Sequence, residues 1–240
     1  MGEHTFGAYA DLLQTLGQSG MPHFLEGGQA VNLWADVFLE RKPQLAELAP
    51  FTSKDCDVCA SHQLFQAIAH DHLLPGTLIK STSPLDGQLG ILQLQNPPRV
   101  IDFLPSVFGL SKGELERAFR RVIIVSGVCV LDPLYLFKGK CHNFIELPQG
   151  GRQDQRHLNM LKHIVPAHFE RATERACQNH IAERELISEL KLFLAFDKDR
   201  AIRQATSRLE CKLIDLAPTK LLSACGLAKV EHFIATQIDA

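Results

Sequence analysis

Up to about residue 131 the apolar residues come in short runs bounded by glycine and proline. Beyond that point they recur at three- and four-residue spacing with few breaks. Runs of the first kind read as strands closed by turns, and the second pattern reads as amphipathic helices packed on one another. The change of period predicts an α+β fold: a small mixed β-sheet core with flanking helices, then a C-terminal helical bundle. It sets two units, 1–131 and 132–240. No repeat and no low-complexity stretch interrupts either one, so solenoids and disordered tails are excluded.

In the first unit Phe6, Tyr9, Leu12, Leu13 and Leu16 predict a helix over 3–16. His23-Phe24-Leu25 reads as a strand, Gly27-Gly28 as a turn, and Ala30, Val31, Leu33, Trp34, Val37 and Phe38 as a helix reaching Glu40, with Trp34 in the core. A loop over 41–50 leads to a strand over 51–59 and a helix over 62–74 stopped by Pro75-Gly76. Further strands are expected over 77–81, 88–95 and 99–104, then one strand or a pair over 122–130, broken at Gly127. Asp132-Pro133 opens a helix through 147. Helices follow over 154–178, which Pro166 should kink or split, and over 181–196, 200–214 and 219–237.

A chain of 240 residues with 45% apolar composition can bury a core without covalent staples. Its seven cysteines are an odd number without a framework, and the first residues do not resemble a signal peptide. The expectation is a reduced, cytoplasmic protein with no membrane partner, since no apolar run approaches the roughly 20 residues of a spanning helix. The net charge of −2 hides an asymmetry: residues 1–111 hold 5 basic and 11 acidic side chains, residues 112–240 hold 20 and 16. Solvated helix faces account for such a shift as readily as a division of labour.

The chemistry is expected at Asp55, Asp57 and Asp102. On a strand Asp55 and Asp57 would share a face and could clamp a hard divalent cation through oxygen. Glu114/Glu116, Glu183/Glu185 and Asp197/Asp199 have the same spacing, but in polar helical or turn surroundings. Asp102 lies inside Val100-Ile101-Asp102-Phe103-Leu104, where a carboxylate is costly without a cation or donors. The Gly27-Gly28 turn presents backbone N–H groups at a helix start, which suits a phosphate. Cys56 and Cys59 lack the second pair that a zinc site needs. His70-Asp71-His72 reads as an exposed helix end.

The ordered set Gly27-Gly28, Asp55-Cys56-Asp57-Val58 and Asp102 resembles the DNA polymerase β-type nucleotidyltransferase superfamily over roughly residues 20–160. Within it the chain is similar to the abortive-infection toxin nucleotidyltransferase group, which often carries a serine just before the aspartate pair, here Ser53. The chain departs from the pattern at Glu26, where the superfamily has a hydrophobic residue, and in its longer interval from Gly28 to Asp55.

The resemblance implies a nucleoside triphosphate substrate and Mg²⁺ or Mn²⁺ held by Asp55, Asp57 and Asp102. Gly27, Gly28, Ser53 and Lys138 would bind the nucleotide, and Lys140 and Asp154 would serve catalysis. Both lysines could equally be solvated, Asp154 could instead cap its helix, and His157 could hydrogen-bond near the site or merely fill an interface. The implied reaction moves a nucleoside monophosphate onto a hydroxyl of RNA, protein or a small molecule, possible partners being such an acceptor and an antitoxin-like protein. The alternative is a catalytically inactive nucleotide- or partner-binding module on the same fold.

Overall fold

An apolar strand buried on both faces needs neighbours on both edges, and Cys56–Ala60 (β4) has them. It pairs antiparallel with His23–Glu26 (β2) on one side and parallel with Arg99–Leu104 (β7) on the other. The computed structural model describes residues 2–71, 73–81 and 87–238. Among these, seven strands form one mixed sheet in the order β5-β6-β7-β4-β2-β9-β8. The added members are Thr77–Lys80 (β5), Gly90–Leu94 (β6), Ile123–Val125 (β8) and Val128–Val130 (β9). His4–Thr5 (β1) and Thr52–Ser53 (β3) make a separate two-stranded ribbon.

The helices of the first part are Ala10–Gln18 (α1), Gly27–Phe38 (α2), His62–Asp71 (α3) and Lys112–Arg120 (α4). The bundle that follows comprises Pro133–Glu146 (α5), Asp154–Cys177 (α6), Glu183–Ala195 (α7), Arg200–Arg208 (α8), Thr219–Leu222 (α9) and Ala228–Gln237 (α10). The expected architecture is therefore the observed one. Trp34 is in the core as its spacing predicts, with its indole N–H donated to the Leu131 carbonyl at 3.0 Å. Asp132 caps α5 by accepting the Leu134 N–H, with Pro133 at the position where a missing N–H costs nothing.

Several expected boundaries move, each for a local reason. The helix expected over 3–16 begins only at Ala10, because His4 and Thr5 pair with β3 and a 3₁₀ turn spans Phe6–Ala8. The helix expected to Glu40 stops at Phe38, and of the one expected over 62–74 the described part is His62–Asp71, with Leu73 outside it. The single strand over 51–59 is two, β3 and β4, separated by a bend at Lys54 and Asp55.

Pro166 does not split α6. It removes one ladder donor, but Ile164, Val165, Ala167 and Phe169 around it are buried and hold the helix to its neighbours. The helix over 200–214 ends at Arg208, where the N–H groups of Glu210 and Cys211 turn back onto Ser207 and Thr206. The helix over 219–237 is divided into α9 and α10, with Gly226 between them at φ +75°. The sequence reading assigned no element over 112–120, yet Ser111 and Glu114 form a capping box that opens α4.

Among the described residues no helix is long and apolar enough to cross a membrane.

Candidate active site

The register of three neighbouring strands places three acids in one row. Asp57 on β4 is the direct partner of Asp102 on β7, and on its other side of Glu26 on β2. Alternation along β4 and β7 buries Cys56, Val58, Ile101 and Phe103 and leaves Asp57 and Asp102 half-buried. Asp55 is not on the strand, but the bend before β4 turns it to the same place. Carboxylate oxygens of Asp55, Asp57 and Asp102 all lie within 4.8 Å of one another. The trio is the one expected from the sequence, although Asp55 sits in the bend that divides the expected strand over 51–59 and not on a strand with Asp57.

Around the trio the glycine turn closes in. Gly27 has φ +66°, and a Cβ there would overlap the Asp57 carboxylate, so both conformation and space demand glycine. At Gly28 the constraint is space alone: a Cβ would stand 2.5 Å from Ser53 Oγ and 2.9 Å from His157 Cε1. Ser53 is buried beside it and donates to Asp55 Oδ1 at 3.4 Å.

The bundle supplies the opposing charge. Lys140 on α5 is 7% exposed and donates to Asp154 Oδ1 at 3.0 Å, and Arg152 Nε reaches Asp154 Oδ2 at 2.5 Å. Asp154 is the first residue of α6 rather than its cap, a place taken by Gln153, so its carboxylate is spent on the two cations. Burial alone would raise the Asp154 carboxyl, but Lys140 and Arg152 hold it below the usual range.

Lys138 is on the same helix yet goes elsewhere. It is paired with Glu114 at 2.8 Å and Asp199 at 3.5 Å, tying α5 to α4 and α8. A rotation of about 200° separates residues two apart on a helix, which is why the two lysines diverge. Neither is a solvated surface lysine. His72 lies outside the described residues.

These groups line one cleft of about 410 Å³, with Glu26, Gly27, Gly28, Ser53, Asp55, Asp57, Lys140, Asp154 and His157 in its wall. That is within the range of small-molecule sites. Lys54, Arg152, Leu104 and Phe108 also line it, and Phe108 is 47% exposed. Burial and then Asp55 and Glu26 push the Asp57 carboxyl well above its ordinary range. Burial and Asp55 push Asp102 up to about 6. Glu26 rises to about 7 from burial, with Lys140 pulling it back. Crowded carboxylates with hard oxygen donors and raised proton affinity suit Mg²⁺ or Mn²⁺.

Sequence reasoning gave Glu26 only as a departure from a pattern and did not find Arg152 or Phe108. The strand pairing that aims Glu26 at Asp57 has no signature in a single sequence. Cys56 and Cys59 are buried free thiols, both pushed up by burial, outside any group spaced to hold a metal among the described residues.

A second group, Asp132, His168 and Glu189, also presents ligand atoms within 4.8 Å of one another and could hold a metal. Arg121 already bridges its two carboxylates, at 3.3 Å to Asp132 and 2.7 Å to Glu189.

No known family profile matches the sequence, and no curated protein matches it. Among solved structures, the chain is similar to the crystal structure of an antigenic nucleotidyltransferase-like protein from Paracoccidioides brasiliensis. The two share 12% identity over 96% of this chain and 100% of that one, at a TM-score of 0.47.

Proposed function

We propose that the protein is a metal-dependent nucleotidyltransferase that moves a nucleoside monophosphate from a nucleoside triphosphate to an acceptor hydroxyl. The observation that carries this reading is the convergence of Asp55, Asp57 and Asp102 within 4.8 Å of one another, with Asp55 and Asp57 in the wall of the cleft that the glycine turn also lines. The hydroxyl oxygen gives its proton to the Asp102 carboxylate and attacks the α-phosphorus, the bond to the bridging oxygen breaks, and pyrophosphate leaves with that electron pair. Asp55, Asp57 and Asp102 would hold Mg²⁺ or Mn²⁺, which when bound offsets charge on phosphate and on the attacking and leaving oxygens.

The chain's own residues do the rest. The Gly27-Gly28 turn offers N–H groups at the start of α2, and Lys140 supplies a buried positive charge in the cleft wall. Phe108 and Leu104 give the base an apolar side. Phe108→Ala should raise the KM for the triphosphate by roughly tenfold with a smaller change in kcat, as loss of base stacking predicts. Steady-state kinetics at saturating acceptor measure this split.

One observation favours the second reading, a nucleotide- or partner-binding module without catalysis: Glu26 stands beside the phosphate turn and its charge opposes phosphate. The two are separated by incubating the full chain with each triphosphate labelled at the α-phosphate, Mg²⁺, and total RNA or protein. Label transferred to an acceptor, with pyrophosphate released, supports the enzyme. Bound triphosphate with no transfer to any acceptor supports the module.

Glu26→Gln is expected to tighten triphosphate binding several-fold, because it removes a negative charge beside the turn while keeping shape. Calorimetric titration with ATP reads this directly, and unchanged affinity would place phosphate away from Gly27.

A further inference from the structure

His157 is a polar side chain that the fold does not use. It lies one turn into α6 after Asp154, is 3% exposed, and neither ring nitrogen has a hydrogen-bond partner among the described residues. Burying such groups without partners opposes folding, and a leucine or methionine at this place on α6 would avoid that cost. Yet the surroundings are shaped around the ring. Gly28 has no side chain where a Cβ would stand 2.9 Å from His157 Cε1, and Ser53 lies against the same glycine. His157 is part of the wall of the cleft that Asp55, Asp57, Lys140 and Asp154 also line. It is therefore a hydrogen-bonding group kept beside the Gly27-Gly28 turn at the start of α2.

We propose that His157 is a nucleotide-binding residue: its imidazole N–H donates to a phosphate oxygen of the triphosphate seated at the Gly27-Gly28 turn, with Ser53 beside it. This deepens the nucleotidyltransferase reading and rests on it. A neutral imidazole offers one donor and one acceptor. Burial, and then Lys140, keep the ring neutral well below the usual histidine range, so it contributes direction without adding charge next to Lys140. The same arrangement explains why Gly28 must be glycine although its backbone conformation does not require it: a larger residue would push the ring and Ser53 out of the phosphate position.

The test uses the full chain with His157→Leu and His157→Gln, and two probes in the presence of Mg²⁺: ATP and inorganic tripolyphosphate. His157→Leu is expected to melt at the wild-type temperature or above, while its Kd for both probes rises about tenfold or more. His157→Gln, whose amide N–H can donate, should recover part of the loss. A purely structural histidine gives the opposite pattern, a lower melting temperature with wild-type affinity for both probes, and that result overturns the proposal. Weakened ATP binding with unchanged tripolyphosphate binding overturns the phosphate contact. Should wild type bind both probes and His157→Leu fail to, while wild type transfers no label, the phosphate role of His157 stands and the catalytic reading falls. A wild type that binds neither probe overturns both.

Discussion

Asp57→Asn should abolish nucleotidyl transfer, by roughly 10³-fold or more, while making the metal-free protein more stable. Asp57 is the centre of the acidic row, opposite Glu26 on one strand and Asp102 on the other, with Asp55 turned toward it. Asparagine fills the same space on β4 but cannot offer an anionic oxygen to a divalent cation. It also removes the central charge of four crowded carboxylates. Because burial and its neighbours raise the Asp57 carboxyl on folding, the folded state holds that proton more tightly than the unfolded one. The stabilising effect of that proton is complete below about pH 4 and is lost as pH rises through the raised folded value. The variant should therefore match wild type in acid and melt higher at neutral pH. Added Mg²⁺ should reverse the order by stabilising wild type alone. Thermal melts at pH 4 and pH 7.5, with and without Mg²⁺, give all four comparisons. A variant that is less stable at neutral pH without metal would contradict the crowded-carboxylate account.

Arg121→Met should cause the largest loss of stability, about 3 kcal/mol or more, and lower the melting temperature by on the order of 10 °C. Arg121 ends α4 and joins Asp132, the cap of α5, to Glu189 on α7. Asp132 is almost fully buried and Glu189 mostly so, and removing the guanidinium leaves both carboxylates without their cation. Adding Glu189→Gln to Arg121→Met should restore part of the loss, since one of the stranded charges is gone. His168 adds a pH signature, its Nε2 lying 3.3 Å from Glu189 Oε2. Burial alone would lower the His168 value, but Glu189 and Asp132 raise it above 6.5. Its contribution to stability is therefore full below pH 6.5 and declines as pH rises through the raised value. Urea midpoints between pH 5.5 and 9 should fall in wild type, fall less in His168→Gln, where only the raised carboxyls of the acidic row still titrate, and fall more steeply in Arg121→Met, where His168 is the remaining cation. A wild-type profile as flat as His168→Gln would contradict the assignment.

The local signals that were legible in the sequence are those written in adjacent residues. Asp132-Pro133 marked a helix start, Gly27-Gly28 a turn, and an aspartate inside Val100–Leu104 a charge needing a partner. The change from short runs to helical spacing gave the order of sheet and bundle. What was not legible depends on pairing between distant residues. That Glu26 faces Asp57 follows from the β2–β4 register, and that Lys138 turns from the cleft follows from Glu114 and Asp199 waiting on other helices. The C-terminal end of α8 and the break between α9 and α10 were missed because apolar spacing continues across Glu210 and Gly226, where the backbone reverses. Helical periodicity reports which face is apolar, not where the chain stops.

Asp55, Asp57 and Asp102 are expected to hold a catalytic divalent cation together. Titration of the full chain with Mn²⁺, followed by the electron paramagnetic resonance signal of the free ion, measures this most directly. Wild type is expected to remove Mn²⁺ from solution, more tightly with a non-hydrolysable nucleoside triphosphate present. Asp57→Asn and Asp102→Asn should lose that binding, while Asp132→Asn, at the other acidic group, should keep it if the variant remains folded by circular dichroism. Equal Mn²⁺ binding by wild type and Asp57→Asn, or loss only in Asp132→Asn, would contradict the account.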